Sequence, residues 1–206
     1  MDRNAAHSEL DFIAGIMRRT QATVDPHAFH FVLWGAIVLV CYPLMNWFQL
    51  RETSAPMAWV GGGALLIGAL GSFLTEMRLA KSPRLAGEDT FVSKQIVLIV
   101  WANVGPGILI SAVGPASGFI HPAYIPVVWG LLYANMAYMV GVVYTREYLI
   151  AGIAIGAGAL LALWKVEYAG FILGPFMGLG MIIPGVIAER RVARMRRDPD
   201  GAALGA

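Results

Sequence analysis

The sequence predicts an all-α fold, a polytopic transmembrane helical bundle of six spans. Three observations predict it. Of 206 residues, 58% are hydrophobic and only 14% are charged, whereas a soluble domain carries roughly 25% charged residues. The charges gather at the two ends and in a few short stretches. Between them run nearly charge-free segments of about 20 residues, the length that crosses about 30 Å of hydrocarbon.

The chain opens on "SELDFIAGIMRRTQA", residues 8–22. Leu10, Ile13 and Met17 make one apolar stripe, and Phe12 and Ile16 widen it. Ser8 is placed to cap this segment, with Asp11 at the capping-box position. Arg18 and Arg19 lie where the helix dipole favours cations. The stretch reads as a short amphipathic helix, lying on the membrane surface or docked against the protein's own loop or a partner. The first long apolar run starts only near residue 28, so no cleavable signal peptide is expected. The chain therefore divides into an N-terminal amphipathic segment (1–24), a six-helix membrane domain (25–189) and a basic tail (190–206).

The spans fall at roughly 28–50, 56–77, 95–113, 124–145, 148–164 and 168–188. The fifth is close to the shortest length that crosses a bilayer. Glycine-rich runs such as "VGGGALLIGALG" suit lipid, where small residues let helices approach closely. Ala64, Gly68 and Ser72 recur every four residues on the second span, and Gly152 and Gly156 do so on the fifth. Both sets are candidate helix-packing faces. The 78–94 segment is the one long connection, so successive helices are antiparallel neighbours.

Lysine and arginine orient the bundle. With the N-terminus cytoplasmic, thirteen of the fifteen fall on the inner side, and only Arg51 and Lys165 fall outside. Such an excess predicts both termini in the cytoplasm. The aromatics agree. Trp47, Phe48, Trp59, Tyr124, Trp164 and Tyr168 belong to the outer interface, and Phe91, Tyr144 and Tyr148 to the inner one. The basic tail reads as a topology and lipid anchor, with no nucleic-acid partner. The lipid bilayer is the first partner expected; a second copy of the chain or another membrane protein is the other.

Short matches hint at duplication. Trp34-Gly35 and Trp129-Gly130 are 95 residues apart, as are "GGGALL" (61–66) and "GAGALL" (156–161). Gly105-Pro106 and Gly174-Pro175 occupy the third and sixth spans. A 3+3 inverted repeat would produce this pattern; so would the abundance of Gly, Ala and Leu.

A polar first helix, a first span carrying "FHFVLWG", a short fifth span and a last span ending in "IIPG" then basic residues resemble a group of small, uncharacterised bacterial six-span inner-membrane proteins. The resemblance covers most of the chain and implies a bacterial cytoplasmic membrane. It implies no activity and assigns no functional residue.

Residues that could carry chemistry are few. His27 and His30 share one face of the first span with Trp34 and are candidate metal ligands. Cys41 is eleven residues from His30, about 16 Å along the axis, and cannot join them. Structural zinc takes four ligands, and the chain offers no third at that depth. The plainer reading makes both histidines interfacial anchors. A single cysteine excludes an intramolecular disulfide. Within the spans the only charged residue is Glu76, at an inner edge, which leaves little for a proton relay or a catalytic set. No cofactor is expected and no enzymatic activity. Asn103 and Asn135 fall at similar depth on neighbouring antiparallel spans, where they can bond each other or contact a substrate. Gly105, Pro106 and Gly107 in the third span, and Pro175 and Pro184 in the sixth, are expected helix breaks, because proline removes one N–H and clashes with the carbonyl four residues back. Such breaks serve packing or line a cavity. The leading expectation is a non-enzymatic accessory, scaffold or sensory component; the competitor is a small permease for a neutral or weakly polar molecule. A midplane cavity lined by the two asparagines would favour the permease, and a solid bundle the scaffold.

Overall fold

The computed structural model describes Gly15, residues 28–80 and residues 91–197. Apart from Gly15, the expected amphipathic segment lies outside the described residues, as do His27, most of the long connection and the end of the tail. Among the described residues from Ala28 onward, six α-helices follow one another: α1 (Ala28–Leu50), α2 (Ser54–Ala80), α3 (Phe91–Ala116), α4 (Ile125–Val143), α5 (Arg146–Trp164) and α6 (Ala169–Arg197). One 3₁₀ turn precedes α4 (Pro122–Tyr124) and another precedes α6 (Val166–Tyr168). All six helices are long and apolar enough to cross a membrane. The shortest, α4 and α5, have 19 residues each, about 28 Å at 1.5 Å per residue. The chain is a multi-pass, all-helical membrane protein.

The turns follow from local chemistry. After α1, the amides of Arg51 and Thr53 both donate to Phe48 O at 3.1 Å. Glu52 takes a left-handed φ of 56°, the usual way for a helix to end. Between α3 and α4, Gly118 has φ 73°, which glycine adopts without Cβ strain. His121 then accepts from the Ala123 amide through Nδ1 and caps the turn that leads into α4. α4 and α5 are joined so tightly that a Cβ on Gly141 would overlap the Leu149 backbone.

The helices pack in the order α2–α1–α6–α5–α4–α3. Their common core contains Val38, Val127, Ala137, Ile155, Ala159, Leu173 and Met177. Burial rises from 6% of the α2 span and 11% of the α3 span, through 17% of the α1 span, to 39% of the α4 and α5 spans and 44% of the α6 span, and α1 joins the last three through its large interface with α6. Thus α1, α4, α5 and α6 form the body, with α2 attached to α1 and α3 attached to α4.

The largest helix–helix interface joins α1 to α6. Gly170, Gly174 and Gly178 recur every four residues along α6, facing Tyr42 and Asn46, Pro43, and Leu39 respectively. From the other side, a Cβ on Gly35 would stand 2.8 Å from Gly178 O. Bare backbone on both helices lets them approach closely. This ladder is not among the packing faces that the sequence pattern marks. On α5, Gly152 and Gly156 do face α4, through Tyr138 and Ala134, while Gly158 meets Phe176 of α6.

Two expectations need correction. The breaks at Gly105, Pro106, Gly107, Pro175 and Pro184 do not interrupt the helices: α3 and α6 are continuous through them. Each proline deletes one N–H, and the bonds on either side persist in a medium where unpaired backbone has no water to turn to. Tyr148 does not face outward as a belt residue would; it is 4% exposed and packs edge-on against Phe31 with centroids 5.0 Å apart. The halves also pack differently. α5 packs on α6, but among the described residues α2 builds no comparable interface with α3, so the packing gives a 3+3 repeat no support. The last helix, α6, also runs on through residues 190–197.

Candidate functional site

In a bundle this apolar, the polar side chains between helices are the candidates for function, because each is costly to leave without a partner. Among the described residues four groups of them bond across helices, apart from the Arg191–Glu147 pair of α5 and α6.

At mid-membrane, Asn135 Nδ2 donates to Asn103 Oδ1 at 2.9 Å. Asn103 is 5% exposed and sends its own amide back to Ile99 O, one turn earlier on α3, at 2.8 Å. The two amides that sequence placed at one depth therefore join α3 to α4.

At the end carrying Arg78, Lys94, Arg146 and Arg190 (the basic end), His30 Nε2 lies 2.8 Å from Glu76 Oε1. The histidine side chain is 21% exposed and the carboxylate 54%, which places the pair at the surface, between α1 and α2. Among the described residues no three His, Cys, Asp or Glu side chains cluster as metal ligands would. His27 lies outside those residues.

The third group is a pair of similar clasps. Trp34 Nε1 on α1 donates to Ser72 Oγ on α2 at 3.2 Å. Trp129 Nε1 on α4 donates to Ser111 Oγ on α3 at 2.9 Å. In each case a glycine four residues before the serine receives the indole: a Cβ on Gly68 would overlap the Trp34 ring, and one on Gly107 would stand 2.8 Å from Trp129. The next residues, Gly35 and Gly130, turn the opposite way and pack on α6. Trp-Gly is thus a two-sided device, with an indole for the outer helix and a gap for the inner one. The α1–α2 clasp lies toward the basic end, and the α3–α4 clasp toward the opposite end. An indole N–H in an apolar span needs an acceptor, and that signal was readable; its serine partner was not.

The fourth group was missed. Asn46, near the end of α1, is 3% exposed. Its Oδ1 accepts from the amides of Gly170 (2.7 Å) and Phe171 (3.2 Å), and its Nδ2 donates to Glu167 O at 2.6 Å. It caps the start of α6 from another helix, satisfying donors that a helix end leaves open. An asparagine one residue before the aromatic Trp47-Phe48 pair reads in sequence as an interfacial residue, and only the fold brings residue 170 beside it.

Two concavities stand out. One, of about 10 Å³, is lined by residues including Phe31, Val140, Tyr144 and Tyr148, and has room for about one water. The other is an apolar groove of about 290 Å³ between α5 and α6, running from Glu147 to Pro175. Neither touches Asn103 or Asn135. At the groove's basic end, Arg191 Nη2 donates to Glu147 Oε1 at 3.2 Å.

Comparison with known proteins finds no family model, no curated protein and no solved structure that matches the chain.

Proposed function

We propose that the chain is a non-enzymatic component of a bacterial inner membrane, an accessory, scaffold or sensory subunit that works through partners, with both ends cytoplasmic. The observation that supports this reading most is how the midplane polarity is used. Asn103 and Asn135 bond each other, and neither the α5–α6 groove nor the small cavity beside Tyr148 reaches them. The four-helix body is filled by side chains such as Leu173 and Met177, each 0% exposed. What the molecule offers outward is the pair of lightly buried helices α2 and α3, each held to the body mainly by one neighbour. Leu66 and Ile67 of α2 and Leu109 of α3 all point away from it.

The competing reading is a small permease. It rests on Asn135, an exposed amide halfway along α4 that a weakly polar solute could meet at the α3–α4 seam.

Photo-crosslinking residues at positions 67 and 109, used in living membranes, separate the two. A defined protein adduct at either position supports the partner reading. Lipid adducts alone, together with solute uptake into proteoliposomes that Asn103→Leu abolishes, would overturn it.

A further inference from the structure

We propose that the α5–α6 groove is a binding site for an anionic phospholipid of the bilayer, one acyl chain lying in the groove and the phosphate held at Arg190 and Arg194. The groove walls are apolar and exposed: Ile150 on α5, and Phe176, Leu179 and Ile183 on α6. From Pro175 to Pro184 the α6 wall rises about 14 Å, parallel to the acyl chains of a bilayer. Its volume of about 290 Å³ is at the low end for a small-molecule pocket. A long, shallow, apolar channel open to lipid fits a chain better than a compact solute.

Charge then selects the headgroup. Phe176, Ile183, Ile187, Arg190 and Arg194 lie on one stripe of α6, spaced three, four or seven residues apart. The groove wall therefore continues without rotation into two exposed arginines beyond its basic end. Glu147, the one acidic residue in the lining, is held by Arg191 at 3.2 Å. Its charge is thereby offset where a phosphate would arrive. An apolar slot ending in guanidinium groups complements a chain with a negatively charged head, and it gives a zwitterionic lipid no comparable advantage.

Native mass spectrometry of the purified full chain, titrated with equal amounts of phosphatidylglycerol and phosphatidylcholine, tests the site. The wild type should bind phosphatidylglycerol preferentially. Arg190→Gln and Arg194→Gln should each lower that preference about fivefold, the equivalent of about 1 kcal/mol per basic residue near the surface. Ala154→Trp, which fills the groove, should abolish the tight adduct; if that variant unfolds, Ala154→Leu should weaken it. Lipid-free thermal stability of the arginine variants should match the wild type, since both side chains are exposed. Equal binding of the two lipids by the wild type would overturn the proposal. So would an adduct indifferent to Ala154→Trp, or a dimer that Ala154→Trp disperses in place of a lipid adduct.

Discussion

Asn46 and Asn103 are both buried asparagines, yet they hold the structure with different strength. Asn46 satisfies two amides at the start of α6 and donates to one carbonyl, so Asn46→Leu strips partners from three backbone groups at once. Burying such groups unpaired costs about 1–3 kcal/mol each. A total loss of about 3 kcal/mol is expected, because part of the region can relax toward water. Asn103 and Asn135 have mainly one bond to lose, and interhelical bonds of this kind contribute about 0.6–2 kcal/mol. Reversible unfolding in mixed micelles should therefore rank Asn46→Leu well above Asn135→Leu. In the double-mutant cycle, Asn103→Leu with Asn135→Leu should cost less than the sum of the single changes. Strict additivity would show that the 2.9 Å contact carries no coupling energy.

At the scale of the helix, glycine has two meanings here that composition alone does not separate. Gly62 and Gly63 of α2 have nothing within 4 Å of an added Cβ, whereas one on Gly178 would stand 2.6 Å from Leu39 Cβ and 2.9 Å from Gly35 O. Gly178→Ala should push α1 from α6 and destabilise by about 1–3 kcal/mol, as overpacking does. Gly63→Ala should be neutral or stabilise by up to about 1 kcal/mol through the helix propensity of alanine. Equal effects in one unfolding assay would mean that the α1–α6 contact is looser than the geometry requires. This contrast also marks what sequence could reveal. The spans were legible, since bilayer thickness imposes a length on every apolar run, and Asn103 and Asn135 could be matched by depth alone. Which face meets which helix was not legible. The partners of Gly170, Gly178 and Asn46 are over 100 residues away in the chain, and no local period encodes that choice. The same limit hid the α2–α1–α6–α5–α4–α3 order, in which the first and last helices make the main interface.

For the whole molecule, the decisive asymmetry is the distribution of charge. Residues 78, 94, 146 and 190 gather at one end of the bundle, while Arg51 and Lys165 are at the other, within short turns. Short loops are where positive charge controls insertion, since each Lys or Arg resists transfer across the bilayer. The basic end is accordingly expected in the cytoplasm. The protein gives a clean assay for this, because Cys41 is its single cysteine and Cys41→Ser removes the background. Ser117→Cys lies in the exposed α3–α4 turn and Ser54→Cys at the first residue of α2, both at the end opposite the basic one; Ser93→Cys lies in the first turn of α3, at the basic end. A membrane-impermeant maleimide applied to intact cells should label positions 54 and 117. It should reach position 93 only after the membrane is opened. Labelling of position 93 from outside intact cells would invert the molecule. It would also move Arg190 and Arg194 to the outer leaflet, so this one measurement fixes which leaflet faces the α5–α6 groove.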